Sequence, residues 1–182
     1  NDLDITDISQ KFPESITRGN IKVLGVEAIS DRTMVRKLFL ATMMWGYGTR
    51  GYGPYRTKHM LETPRADRIL CDTVDMIVKG GINEAYQDFQ INLCGPAFMT
   101  KFFYFIGLSV DIRPLPIILD SNVGQSFILL MEKEGLNCLD FLRYTMNKKG
   151  KINVRPYRDG YIRYIQLINS WAQEIGCRAD SI

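Results

Sequence analysis

Only one histidine, His59, occurs in the 182-residue chain, and the four cysteines, Cys71, Cys94, Cys138 and Cys177, stand far apart with no C-x-x-C pair. That spacing argues against a zinc or iron–sulfur site and for buried thiols in a reducing compartment. Long apolar runs are missing as well. The longest, Phe102 to Leu108, is too short to cross a bilayer, and no basic leader precedes an apolar stretch near the N-terminus. A cytoplasmic protein without a membrane partner is therefore expected. No G-K-[ST] follows a glycine-rich segment, which excludes a nucleotide-binding P-loop. Charge of one sign is not in large excess: the net charge of +3 and a pI near 8.7 are compatible with a polyanionic partner without requiring one.

What the chain does have is an ordinary globular balance, 46% apolar and 24% charged, with enough length to bury a sizeable interior as one domain or two small helical lobes. Residues 1–20 read as a loosely attached arm or a short helix, and 21–29 are ambiguous between strand and helix. Ser30-Asp31 offers an N-cap to a helix over Arg32 to Met44, with Met34, Val35, Leu38, Phe39, Thr42 and Met43 on one face. Further helices are expected over 65–79, ended by Gly80-Gly81, over 82–91, over 98–108, over 121–134 and over 160–175. Five to eight helices with little strand make an all-α fold.

The segment Trp45 to Leu61, WGYGTRGYGPYRTKHML, has the most unusual composition. Its four glycines and Pro54 argue against regular helix, Trp45, Tyr47, Tyr52 and Tyr55 supply ring faces, and Arg50, Arg56 and Lys58 supply charge. Interleaved rings and cations suit an unstacked nucleotide, since bases stack on rings while phosphates pair with Arg and Lys. The plain alternative is a surface loop whose aromatics tuck back onto the core. His59 either touches a phosphate or caps a turn. A basic stretch, NKKGKINVRPYR (147–158), is either a solvated loop or a phosphate contact, and Asp159 is placed to cap the last helix.

Chemistry concentrates between Asn92 and Asp120, NLCGPAFMTKFFYFIGLSVDIRPLPIILD. A tight Gly-Pro turn leads into an apolar helix that carries one lysine, Lys101. Burial disfavours an ammonium and exposes an amine lone pair, whereas a first-turn lysine can also snorkel to water. Pro114 and Pro116 impose an extended path, after which Asp120 stands where an N-cap belongs and stays ionised at the positive helix end.

The turn LCGPA, the lysine after it and the aspartate of PLPIILDSNV, nineteen residues on, resemble the helix-hairpin-helix DNA glycosylases, specifically the 8-oxoguanine glycosylase-like bacterial branch. The Trp-Gly-Tyr-Gly segment is similar to one in that branch, and the likeness spans about 32–176. Two departures stand out: Ala97 replaces the second glycine of the usual L-x-G-x-G turn, and the lysine falls two residues later than usual. The resemblance implies two helical lobes around a central cleft, within a single domain over 1–182: an N-terminal arm and lobe (1–30) and a catalytic core (31–176) with its hairpin at 92–98. It implies Lys101 as nucleophile, Asp120 as its carboxylate partner, and phosphate binding by the N–H groups of Gly95 and Ala97. Trp45, Tyr47, Tyr161 and Tyr164 are expected around the extruded base, and Arg50, Arg56 and Lys58 on backbone phosphates. The partner is double-stranded DNA with a modified base, either oxidised guanine or a bulky base of phage DNA. No metal, cofactor or obligatory protein partner is expected. A non-catalytic helix-hairpin-helix module that holds DNA would keep the turn and the basic loops, but would not need Lys101 and Asp120 to converge.

Overall fold

The computed structural model describes residues 2–12, 14–48, 51–148, 150 and 152–181. In chain order these form α1 (Asp2–Lys11), α2 (Arg18–Ser30), a 3-10 turn at Arg32–Met34, α3 (Val35–Tyr47), α4 (Gly53–Leu61), α5 (Ala66–Val78), α6 (Ile82–Asp88), α7 (Pro96–Val110), α8 (Ser121–Lys133), the strands β1 (Leu142–Met146) and β2 (Ile152–Pro156), α9 (Gly160–Glu174) and a closing 3-10 turn at Ala179–Ser181. The fold is thus mostly helical. No helix among the described residues is long and apolar enough to cross a membrane.

The core is built around α7. Every residue from Met99 to Gly107 is buried, so this helix is wrapped on all sides rather than along one stripe. It packs on α2, α3 and α5. Burying each of Phe102, Phe103 and Phe105 contributes about 2 kcal/mol of transfer free energy, which makes this helix the main apolar anchor of the chain.

Of the two readings of the N-terminal residues, the short helix holds: Ile8 is buried, and Thr17 and Asn20 close a reciprocal capping box that starts α2. Three details differ from the sequence expectations. The glycine-rich segment is mostly helix, because α3 runs through Gly46 to Tyr47 and Pro54 occupies the first turn of α4, where its fixed φ suits a helix. The basic stretch contributes a strand: β2 pairs antiparallel with β1, with Leu142 opposite Pro156 and Met146 opposite Ile152. Ile152, Val154 and Pro156 point inward while Asn153 and Arg155 point out, the period-two pattern of a half-buried strand. Lastly, Asp159 stands at the N-cap position of α9 but makes no side-chain cap bond. The cysteines divide: Cys94 and Cys138 are buried, Cys71 is half-buried and Cys177 is exposed, all as free thiols.

At the start of α9 the backbone passes so close to β1 that only glycine fits. A Cβ on Gly160 would lie 2.0 Å from the Phe141 carbonyl oxygen. Gly160→Ala should therefore cost about 2 kcal/mol through overpacking, seen as a Tm lowered by several degrees. Gly19→Ala, in α2 with no neighbour nearer than 3.7 Å, should instead raise Tm slightly, because alanine is the better helix former.

Candidate active site

The turn between α6 and α7 forms a helix-hairpin-helix. Leu93 takes a positive φ of 61°, Gly95 is extended at the N-cap of α7, and Pro96 opens the helix. Two bonds pin the hairpin to the chain before it: the Asn92 N–H donates to Thr63 Oγ1 at 2.9 Å, and Arg56 donates to the Leu93 carbonyl at 3.1 Å. The N–H groups of Gly95 and Ala97 have no hydrogen-bond partner among the described residues. Burial pushes the thiol of Cys94 far up, so it remains protonated inside the turn.

One turn into α7, Lys101 is 7% exposed. Its Nζ donates to the Ala97 carbonyl and to Asp120 Oδ2, each at 3.0 Å. The stem lies against Gly46 of α3, where a Cβ would stand 3.2 Å from Lys101 Cδ and 3.0 Å from the Phe98 ring. Glycine inside this helix thus lets α3 approach the lysine closely.

Asp120 arrives opposite Lys101 because its approach segment is held from two sides. The Leu119 N–H donates to Thr100 Oγ1 at 2.9 Å, and that hydroxyl donates in turn to the Pro96 carbonyl at 2.7 Å. From α9, the Tyr161 and Tyr164 hydroxyls donate to the carbonyls of Ile117 and Ile118 at 2.9 and 3.0 Å, and Asn169 donates to that of Leu115 at 3.3 Å. Asp120 then caps α8, with Oδ1 accepting from the N–H groups of Asn122 and Val123. Burial pushes its carboxyl up, but the Lys101 charge, the bond from that ammonium and the two backbone N–H groups outweigh this and hold it below the ordinary aspartate value.

Two cavities bear on the site, and Asp120 lines the smaller of them. The smaller, about 550 Å³, is lined by Arg56, Gly95, Ala97, Phe98, Asp120 and the outer face of the β1–β2 hairpin. The larger, about 1040 Å³, lies between the N-terminal segment, α3 and α4 and is bordered by Trp45, Tyr47, Tyr55 and Lys58. Tyr47, which lines the larger cavity, stacks on Phe98, which lines the smaller, with centroids 4.1 Å apart. The Tyr47 hydroxyl is buried with no hydrogen-bond partner among the described residues.

The structure therefore brings Lys101, Asp120, Gly95, Ala97 and Arg56 together, and sets Trp45, Tyr47 and Lys58 around the neighbouring cavity. Tyr161 and Tyr164, expected beside an extruded base, are instead fully buried in the core. Their spacing on the apolar face of α9 carried that signal, and their hydroxyls are occupied with the segment that delivers Asp120. His59 contacts Glu62 of its own helix end at 2.7 Å. Arg50 lies outside the described residues. Sequence reading did not find Thr100 or Arg143, and it reached Arg155 only as part of the basic stretch 147–158, where the alternation in β2 was the sign that would have singled it out.

A mostly helical fold with a helix-hairpin-helix and a lysine–aspartate pair at its mouth is that of a DNA glycosylase. A family model described as "Putative 8-oxoguanine DNA glycosylase OGG-like protein" matches residues 2–182, and the chain belongs to that family. DNA is accordingly the substrate. No curated protein and no solved structure matches the chain.

The environments of the two partners are unequal. The side chain of Lys101 is 9% exposed and that of Asp120 is 31% exposed, with two further donors on the carboxylate. Removing the aspartate strands a buried ammonium, whereas removing the lysine leaves a carboxylate that is capped and partly wet. Asp120→Ala should lower Tm more than Lys101→Met, and Asp120→Asn should recover about 1 kcal/mol by keeping the cap. Because the Asp120 pKa is depressed on folding, its contribution is complete above about pH 4 and is lost as pH falls through the lower folded value. Stability–pH curves should thus fall more steeply on acidification for the native protein than for Asp120→Asn.

Proposed function

We propose that the protein is a bifunctional DNA glycosylase and abasic-site lyase, in which Lys101 attacks C1′ of an extruded nucleotide and Asp120 balances the charge that develops on the sugar. The carrying observation is the Lys101 Nζ to Asp120 Oδ2 pair at 3.0 Å, at the mouth of a cavity whose walls offer the N–H groups of Gly95 and Ala97 and the Arg56 guanidinium. Free backbone donors at a helix start and a fixed cation suit a phosphate of the target strand. With its low pKa, Asp120 is a carboxylate throughout the working pH range, so its part is electrostatic stabilisation more than proton abstraction.

In the reaction the Lys101 ammonium first gives up one proton, and the Nζ lone pair so freed forms the C1′–N bond as the glycosidic bond breaks. The proton lost by Lys101 balances the one gained by the departing base. Opening of the sugar leaves an imine, which acidifies C2′–H and permits loss of the 3′ phosphate. Flipping costs a few kcal/mol, least for damaged pairs, and so contributes to selectivity.

The base pocket is assigned to the larger cavity, with Trp45 and Tyr47 as ring walls and Lys58 at its border. Oxidised guanine is the substrate that the family description suggests. The cavity volume of about 1040 Å³ favours a second reading, a bulky modified base of the kind that phage DNA carries, which would make the protein a defence enzyme. It lies slightly above the roughly 300–1,000 Å³ range of small-molecule sites.

Sodium borohydride trapping on duplexes with 8-oxoguanine, uracil, alkylated bases or modified cytosines tests both points. A covalent adduct should form with at least one duplex and disappear in Lys101→Gln. Adduct with 8-oxoguanine alone would dismiss the defence reading. Absence of any adduct, with DNA binding intact, would overturn the lysine mechanism in favour of a DNA-holding module.

A further inference from the structure

The smaller cavity has a wall that neither the lysine–aspartate pair nor the hairpin turn explains. On the outer face of the β-hairpin, Arg143 stands directly opposite Arg155, and Thr145 opposite Asn153. All four residues are exposed, and all four line the cavity that contains Asp120, Gly95 and Ala97. Like charges facing each other across an antiparallel pair destabilise it. Neither arginine has an acidic partner among the described residues: Arg143 rests on the Tyr157 ring, 4.8 Å from its centroid. Across the same cavity Arg56 is held by the Leu93 carbonyl. The one carboxylate in the lining, Asp120, is already neutralised by Lys101. Among the described residues the cavity lining therefore has three guanidinium groups and no further carboxylate to balance them.

We infer that the β1–β2 hairpin is a second backbone clamp, in which Arg143 and Arg155 together grip one phosphodiester of the strand that carries the target nucleotide, on the far side of the site from the phosphate at Gly95 and Ala97. A phosphate oxygen pair between two guanidinium groups turns the cross-strand repulsion into a bidentate grip. Thr145 and Asn153 add neutral donors to the same oxygens or to the sugar. With one clamp on either side, the sugar of the target nucleotide is presented to Lys101 from a strand fixed at both flanks, and no base is read by the hairpin. This rests on the glycosylase reading above and adds to it a binding subsite.

Duplexes with a tetrahydrofuran abasic analogue at the target position test the inference, since they require no knowledge of the excised base. Affinity is measured against salt for the native protein, for Arg143→Gln with Arg155→Gln, for Arg155→Lys, and for Lys79→Gln as a charge control away from the cavity. The double variant should bind at least tenfold more weakly, with the slope of log K against log salt reduced by about 0.9, the value of one phosphate. Arg155→Lys should recover part of the affinity. Replacing single phosphates near the analogue by neutral methylphosphonates should weaken the native protein at one position to which the double variant is indifferent. A double variant matching Lys79→Gln in slope, or an unchanged methylphosphonate footprint, would overturn the clamp. Borohydride trapping by Lys101 is a separate readout: a failed clamp with intact trapping removes only the hairpin's role, whereas failed trapping removes the lysine mechanism.

Discussion

Everything at the mouth of this molecule depends on one ion pair inside a largely apolar setting. An ammonium on a helix wrapped on every side is costly to bury, and the chain offsets that cost with a single carboxylate delivered from another part of the sequence. The carboxylate is in turn oriented by the first turn of α8, so the pair also joins the start of one helix to the flank of another. Where Asp120 stands is consequently decided by how the segment before it is held.

That segment is held by side chains rather than by a sheet. The Thr100 hydroxyl accepts from Leu119, while Tyr161, Tyr164 and Asn169 bind carbonyls between Leu115 and Ile118. Hydroxyls that satisfy backbone groups in a buried place stabilise chiefly by avoiding unpaired polar atoms. The arrangement lets an irregular, proline-containing stretch pass through the interior and still present its aspartate in register with Lys101. Positioning of the carboxylate thus extends well beyond the residues that face the cavity.

Much of this was legible in the sequence because the strongest signals are local. Apolar periodicity gave the helices from α5 to α9 to within a few residues, and the Gly-Pro turn, the lysine and the N-cap aspartate could each be read from short windows. Less visible was what depends on neighbours distant in sequence. Gly46 looked like a helix breaker, yet it is a contact point where α3 meets Lys101. Tyr161 and Tyr164 looked like ring faces for a base, but amphipathic spacing cannot distinguish a tyrosine that waits for a ligand from one that braces the core. The hairpin was hidden because its two short strands are separated in sequence by a lysine-rich stretch that dominates the local composition.

The start of α7 and its N-cap hold the N–H groups of Gly95 and Ala97, unpartnered among the described residues, and the Lys101 amine follows one turn later. A helix is stiff along its axis, so the rise from Gly95 to Lys101, about 9 Å at 1.5 Å per residue, is a fixed length. In the reaction proposed above, that rod would serve as a ruler along the nucleic acid: it would set the separation between the phosphate held at the turn and the sugar carbon facing the lysine, whichever base the ring-walled cavity takes.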